Sequence, residues 1–436
     1  RQFVSTVNND ELMFASKVLE KYFIEFEDLP MNEVIGGNAT LAPLNKKSSN
    51  GYFKYKTKDE CFDFENKVMK DKFKVEFDDF ISKSESNTLT PLDVVWVETL
   101  KDELRSKDKV LPRSFRICPV TVQVATKMCF GNMVSHIFKN RNFNQIMIGI
   151  NPFEEWPQLH KKLAGDGLFA GDIKGWDKSM LPQVQRLAAN VILKFYKGNY
   201  PNTASFLLHN LAYSLVIVND DSWILSHSMP SGGYLTALIN SLVNRIYTCM
   251  WYHREMVKAG YRPDPNNFLR DVVNLVYGDD NVNRILNRRL FDILNAISMR
   301  DFFKSLGMDY TDSTKGEIID KFQDISDITF LKRSFRYHSD LGKIVCPLDL
   351  NTIYSGLSYI DSSKLDPDSV LQDKISCFQR EMYLHLDEYH SKIEHLRNAC
   401  LERGVPFVEL PVNYMKELYN SGGYDEYYQE KFYLTK

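Results

Sequence analysis

The chain has 436 residues, 44% of them hydrophobic and 25% charged; that is the make-up of an ordinary globular protein and excludes a disordered, collagenous or coiled-coil one. Lys and Arg number 54 against 57 Asp and Glu, for a net charge of −3, so there is no global pull toward a polyanion and any such site must be local. No stretch approaches the roughly 18 uninterrupted apolar residues of a membrane-spanning helix, and at about 150 residues per domain the length predicts two to four lobes. Without repeats or a Pro/Gly/Ser linker, these lobes should be packed together. The seven Cys (61, 118, 129, 249, 346, 377, 400) are scattered, with no Cys-x-x-Cys pair or zinc-ligand spacing, which predicts reduced, buried thiols in an intracellular protein.

In chain order, 9–26 and 59–82 have helical apolar spacing, separated by a loop from Gly36-Gly37 to Gly51. Residues 94–99 (Val-Val-Trp-Val-Glu-Thr) and 115–120 read as strands. Between them, 101–116 carries six basic and three acidic residues. Such a run is either a solvated face or, given the alternation from Lys107 to Arg116, an extended ribbon with cations along one side of a channel. From 167 onward, short apolar strands ending in acidic residues alternate with long helices (168–172, 180–197, 222–227, 235–258, 272–277), which predicts a sheet backed by helices. Helical patterns at 366–388 and 390–402 and a Tyr-rich end from 414 to 434 predict a separate, mainly helical lobe.

Two strand ends carry the chemistry. Leu168-Phe-Ala-Gly-Asp172-Ile-Lys-Gly-Trp-Asp177 puts one carboxylate at the end of a strand and another five residues on. Alone, this also fits a strand-end Asp capping the next helix. Val272-Val-Asn-Leu-Val-Tyr277-Gly278-Asp279-Asp280-Asn281-Val282 reads as a hairpin with two carboxylates at its tip, which alone also fits a solvated turn. Together they say more. Like charges at neighbouring strand ends need a neutralising cation, and two Mg2+ ions about 3.5–4 Å apart, with Mn2+ as a possible substitute, suit carboxylates and substrate phosphates in an in-line nucleotidyl transfer.

Asp172-Ile-Lys-Gly-Trp-Asp177, Ser228-Met-Pro-Ser231-Gly-Gly with Asn240 downstream, Tyr277-Gly-Asp-Asp280 and Phe330-Leu-Lys-Arg333 resemble, in order and separation, motifs A, B, C and E of viral RNA-dependent RNA polymerases of the picorna-like branch, including picornavirus, dicistrovirus and iflavirus enzymes. The resemblance implies an α+β right-hand fold. Its fingers would be at 1–166 and 185–220, its palm, an antiparallel sheet backed by helices, at 167–184 and 221–335, and its helical thumb at 336–436. By the same resemblance, several dozen residues that usually precede the segment at Ser49–Tyr52 are absent, so the N-terminal part of the fingers is expected to be incomplete. By resemblance, Asp172 and Asp279 hold the metals with Asp280 assisting, and Asp177, Ser231, Thr236 and Asn240 read the ribose hydroxyls. Thr236, Asn240 and Asn244 lie at i, i+4, i+8 beside the apolar stripe of one helix. Lys101-Asp-Glu-Leu-Arg105-Ser-Lys107 resembles motif F, so Lys101, Arg105, Lys109 and Arg116 would contact the triphosphate.

Lys315 stands at the place of the motif D general acid and Lys332 at that of a contact to the primer backbone. Ser49-Asn-Gly51-Tyr52 resembles the template-contacting motif G, with Phe53 where many relatives have Pro. Reverse transcriptases share the hairpin but resemble one another in placing an aromatic gate at the position of Asp177, where a carboxylate accepts a 2'-OH network instead. The resemblance therefore implies RNA synthesis on an RNA template and primer from NTPs, in the host cytoplasm at membrane-associated replication complexes, with a small viral protein primer and other viral replication proteins as partners. A reverse transcriptase and a catalytically silent RNA-binding subunit of the same fold are the alternatives.

Overall fold

The computed structural model describes residues 7–101, 112–218, 221–226, 229–312, 316–358 and 366–423. A four-stranded antiparallel sheet lies at its centre, in the order Tyr310–Thr311, Leu168–Ile173, Asp280–Ile285, Val272–Tyr277. Side chains alternate across it, as strand geometry requires. Phe169, Ile173, Val272, Val276 and Ile285 enter one core, while Leu168, Ala170, Val273, Leu275 and Val282 enter another. The first core is filled by the helix Thr236–Lys258, whose Leu242, Ile246 and Met250 are fully buried. The second contains Trp156 stacked on Phe335 (centroids 4.9 Å apart) together with Met382 and Tyr383 from the C-terminal helices. Each such aliphatic or aromatic side chain contributes about 1.5–3 kcal/mol of burial, so the sheet is clamped from both faces.

A second sheet has the order Ser114–Ile117, Val95–Leu100, Tyr213–Val218, Asp221–Ser226. The strand expected at 222–227 is therefore not part of the central sheet. Only two residues separate it from Tyr213–Val218, and closing that short hairpin costs far less entropy than a distant pairing. The segment 221–226 accordingly lies with the 95–117 strands rather than with the rest of 221–335.

Other expectations also change. The helix predicted over 59–82 is split into Lys58–Cys61, a small hairpin (Phe62–Asp63 with Val68–Met69) and Asp71–Glu85. The Asp63 carboxylate accepts from the backbone N–H groups of Glu65 and Asn66 (3.0 Å each) and turns the chain before a helix can propagate. The strand at 115–120 ends at Ile117, because Pro119 has no N–H for a ladder and instead starts the largely buried helix Val120–Lys139. The C-terminal lobe has helices Pro367–Tyr383, Leu386–Glu402 and Val412–Asn420. None of the seven cysteines is in a disulfide, but Cys377 is exposed rather than buried.

Candidate active site

Val272–Tyr277 and Asp280–Ile285 pair down to Tyr277 opposite Asp280, leaving Gly278 and Asp279 as the turn. Gly278 has φ 65, a conformation that strains any residue with a Cβ. The adjacent register runs from Leu168 opposite Arg284 to Gly171 opposite Asn281, so one further step brings Asp172 beside Asp280. On the other side of this strand Thr311 pairs with Asp172 and donates its hydroxyl to the Asp172 carbonyl oxygen (3.3 Å).

The turn is gripped from two directions. Ser241 Oγ accepts from the Gly278 N–H (2.8 Å), and Asn244 Nδ2 donates to the carbonyl oxygens of Gly278 (3.2 Å) and Asp279 (3.1 Å). From the C-terminal side, the Leu331 N–H donates to Asp280 Oδ2 (2.6 Å). Leu331 and Lys332 both have left-handed φ (55 and 59), at about 1–2 kcal/mol per residue, in a tight turn where Phe330 and Arg333 exchange backbone hydrogen bonds of 2.9 Å. That strain aims the Leu331 amide at the carboxylate and leaves Lys332 exposed beside it.

Burial pushes the Asp280 carboxyl up to about 7, with the Asp279 and Asp172 charges adding to the shift and the Leu331 amide opposing it. Asp177 is also raised, first by burial and then by Asp279; Asn240, Arg116 and Lys101 pull it down. Residues far apart in the chain thus share one electrostatic field. No group of three His, Cys, Asp or Glu side chains able to hold a metal is found among the described residues. Carboxylate oxygens at adjacent strand ends nevertheless fit Mg2+, which is usually held by one or two carboxylates with substrate phosphates completing its shell.

Asn240 Nδ2 donates to Asp177 Oδ1 (3.4 Å), while Asn240 Oδ1 is buried with no hydrogen-bond partner among the described residues. Thr236 also holds the neighbouring loop. Its hydroxyl donates to the Pro230 carbonyl oxygen (2.6 Å) and accepts from the Gly233 N–H (3.1 Å), shaping the loop that carries the exposed Ser231. A side chain at Gly232 would collide with the Arg116 carbonyl, so this loop lies against the strand Ser114–Ile117. There Arg116 Nε donates to Glu98 Oε2 (2.9 Å), and the Lys101 N–H closes the ribbon onto the Arg113 carbonyl oxygen (2.8 Å).

The Ser49–Tyr52 loop adjoins the same strand end. Gly51 has φ 68, and a Cβ on it would lie 2.5 Å from the Cys118 carbonyl oxygen. Ser49 Oγ accepts from the Gly51 N–H (3.0 Å), and Tyr52 is exposed. The loop is tied down by the buried Lys58, which donates to the Ser49 carbonyl oxygen (3.1 Å) and Asn50 Oδ1 (3.4 Å). A cavity of about 770 Å³ borders the hairpin at Tyr277 and Leu331, with Lys139, Arg141, Arg333 and Arg380 among its walls. Arg105, Lys109 and Lys315 lie outside the described residues.

Sequence reasoning missed Ser241, Lys58, Glu98, Asn281 and the Leu331 amide, and it placed Asn244 on the stripe without a role. The available signal was Asn at positions 274, 281 and 283 of the hairpin strands, on the face shared with Val272, Val276 and Ile285.

A family model described as viral RNA-dependent RNA polymerase matches residues 6–402. The replicase polyprotein of Drosophila C virus (strain EB) is 31% identical over 360 residues, covering 78% of this chain and 20% of that polyprotein. The genome polyprotein of human hepatitis A virus genotype IIIB is 30% identical over 321 residues, covering 72% of the chain and 14% of the polyprotein. The chain thus spans a fifth or less of these relatives' length. A solved structure, the Sicinivirus 3Dpol RNA dependent RNA polymerase, superposes with a TM-score of 0.80 at 20% identity, over 96% of this chain and 86% of that one, and this likeness shows the right-hand fold. With its motifs in order and its carboxylates gathered at adjoining strand ends, the chain belongs to the family of viral RNA-dependent RNA polymerases.

Proposed function

We propose that the chain catalyses template-directed RNA synthesis for replication of a picorna-like viral genome, transferring NMP from an NTP to the 3'-OH of an RNA primer with release of pyrophosphate. The observation that carries this reading is the Asp177–Asn240 contact in the same field as Asp172, Asp279, Asp280, Arg116 and Lys101. Asp172 and Asp279 would hold two Mg2+ ions, or Mn2+ in their place, with Asp280 fixed by the Leu331 amide. When bound, these ions lower the pKa of the attacking hydroxyl and neutralise phosphate charge.

The remaining work falls to the chain itself. Asp177 accepts from a ribose hydroxyl, and the buried Asn240 Oδ1 supplies a second acceptor beside it, so a sugar with both hydroxyls satisfies groups that a deoxyribose leaves unpaired. Arg116, oriented by Glu98, and Lys101 lie on the ribbon that would face the triphosphate, with Arg105 and Lys109 in the same reading. Lys315 would protonate the leaving pyrophosphate. Lys332, Ser49, Gly51 and Tyr52 would contact RNA through its backbone and shape, base pairing supplying the sequence choice.

A small viral protein primer, other replication proteins and membrane-associated complexes in the host cytoplasm belong to the same proposal. Among the described residues no helix is long and apolar enough to cross a membrane. The deciding experiment is extension of a primed RNA template with rNTPs and dNTPs in parallel, with and without Mg2+. Metal-dependent extension with rNTPs is expected. Preference for dNTPs would favour a reverse transcriptase, and incorporation unchanged by Asp279→Ala would favour a silent RNA-binding subunit.

A further inference from the structure

Three asparagines occupy positions in the central sheet on the face that also carries Phe169, Gly171, Ile173, Val272, Val276 and Ile285. Asn274 and Asn283 are fully buried and Asn281 is 2% exposed. They form a ladder. Asn274 Nδ2 donates to Asn283 Oδ1 (2.7 Å), and Asn283 Nδ2 donates to Asn281 Oδ1 (2.9 Å), which also accepts from the Tyr310 hydroxyl (3.3 Å). The ladder ends where Asn281 Nδ2 donates to two carbonyl oxygens, those of Gly171 (3.2 Å) and Asp279 (3.3 Å). A side chain at Gly171 would run into the Tyr310 ring, so the ring lies over this glycine and delivers its hydroxyl to Asn281. Aliphatic residues would fill this face without the desolvation that three buried amides entail, so stability alone does not account for the ladder.

We propose that Asn281 is a positioning residue that sets the spacing between Asp172 and Asp279, with Asn274, Asn283 and Tyr310 as its supports. One planar amide joins the carbonyl of the residue preceding Asp172 to the carbonyl of Asp279 itself, so the two carboxylate-bearing backbones cannot drift apart independently. Ser241 and Asn244 do something different, since they fix the hairpin turn to a helix and leave the strand of Asp172 unaddressed. Ligand sets tolerate displacements of only about 0.5 Å, and a single rigid side chain spanning both carriers is an economical way to stay within that limit. The inference rests on the proposed metal-binding role of these carboxylates.

Its test reads metal affinity apart from turnover. Mn2+ is titrated calorimetrically into RNA-free protein, and the Mg2+ half-saturation of primer extension is measured alongside. Asn281→Leu should weaken both by about tenfold, the range seen when outer-shell partners of a metal site are lost, while the KM for NTP stays within about twofold of the parent. Because this variant also orphans buried groups, a second protein replaces the whole ladder (Asn274→Val, Asn281→Leu, Asn283→Val, Tyr310→Phe). With no donor left unpaired it should regain most of the melting temperature yet keep the metal defect. Parental metal affinity in Asn281→Leu, or recovery of affinity together with stability in the fourfold variant, would overturn the proposal. Should Asn281→Leu not fold, the fourfold variant decides by the same affinity. A parent that binds Mn2+ but extends no primer would refute the polymerase reading and leave this comparison intact.

Discussion

Arg333 and Glu381 meet in a two-pronged ion pair, with Nη1 to Oε2 at 2.9 Å and Nη2 to Oε1 at 2.8 Å, both side chains mostly shielded (13% and 21% exposed). Two residues earlier in the chain, the Leu331 amide touches Asp280, whose carboxyl is raised first by burial and then by the Asp279 and Asp172 charges, while burial and then Asp279 raise Asp177. The first group is satisfied by opposite charge and serves the joint between the sheet and the C-terminal helices. In the second, like charges are assembled at the expense of stability, the pattern expected where a cationic ligand completes the site.

Neutralising one member of each group should therefore act in opposite senses. The largest effect is expected for Asp279→Asn, with RNA synthesis falling about a hundredfold to a thousandfold while the melting temperature of metal-free protein holds or rises. A fall in melting temperature would mean that the carboxylates are structural. Glu381→Gln should destabilise by about 3 kcal/mol, because it leaves a shielded guanidinium unpaired, with little change in activity per folded molecule. Replacing both partners (Arg333→Met with Glu381→Leu) should recover most of this loss in a denaturant titration.

Asn240→Ala sharpens the contrast within the acidic group, since it removes the buried Oδ1 acceptor proposed to meet the ribose but no charge. The preference for rNTP over dNTP should fall about tenfold, read as a ratio of kcat/KM values. The smallest effect concerns a third kind of buried charge. Lys127 donates to the carbonyl oxygens of Val34 and Ala42 (2.7 Å each), and burial lowers its ammonium to about 8. Between that value and the ordinary lysine range, the unfolded chain binds more protons than the folded one, so raising the pH stabilises the fold. Relative to Lys127→Met, the wild type should gain about 1 kcal/mol from pH 8 to pH 9.

The hairpin at 272–285 and the helix from Thr236 were legible because each announces itself locally, through apolar alternation, a glycine turn or a short ordered motif. The helix Val120–Lys139 went unread because it is buried around most of its circumference and shows no amphipathic stripe. The split of 59–82 turned on an Asp63 turn that apolar spacing does not register. Thr236 illustrates what helical spacing leaves unread at a site, since its hydroxyl bonds to the loop before it.

By itself the amino-acid order determined which residue types meet the chemistry and the family to which they belong, because those depend on side-chain identity at short spacings. Only the tertiary structure decided that Asp172 comes beside Asp280, one register step beyond the Gly171–Asn281 pair, that Leu331 and Ser241 hold the Gly278–Asp280 turn from opposite sides, and that one buried amide spans both carboxylate carriers. These facts arise from strand register and from packing between segments 37 to 110 residues apart, where no local pattern records which groups will face each other.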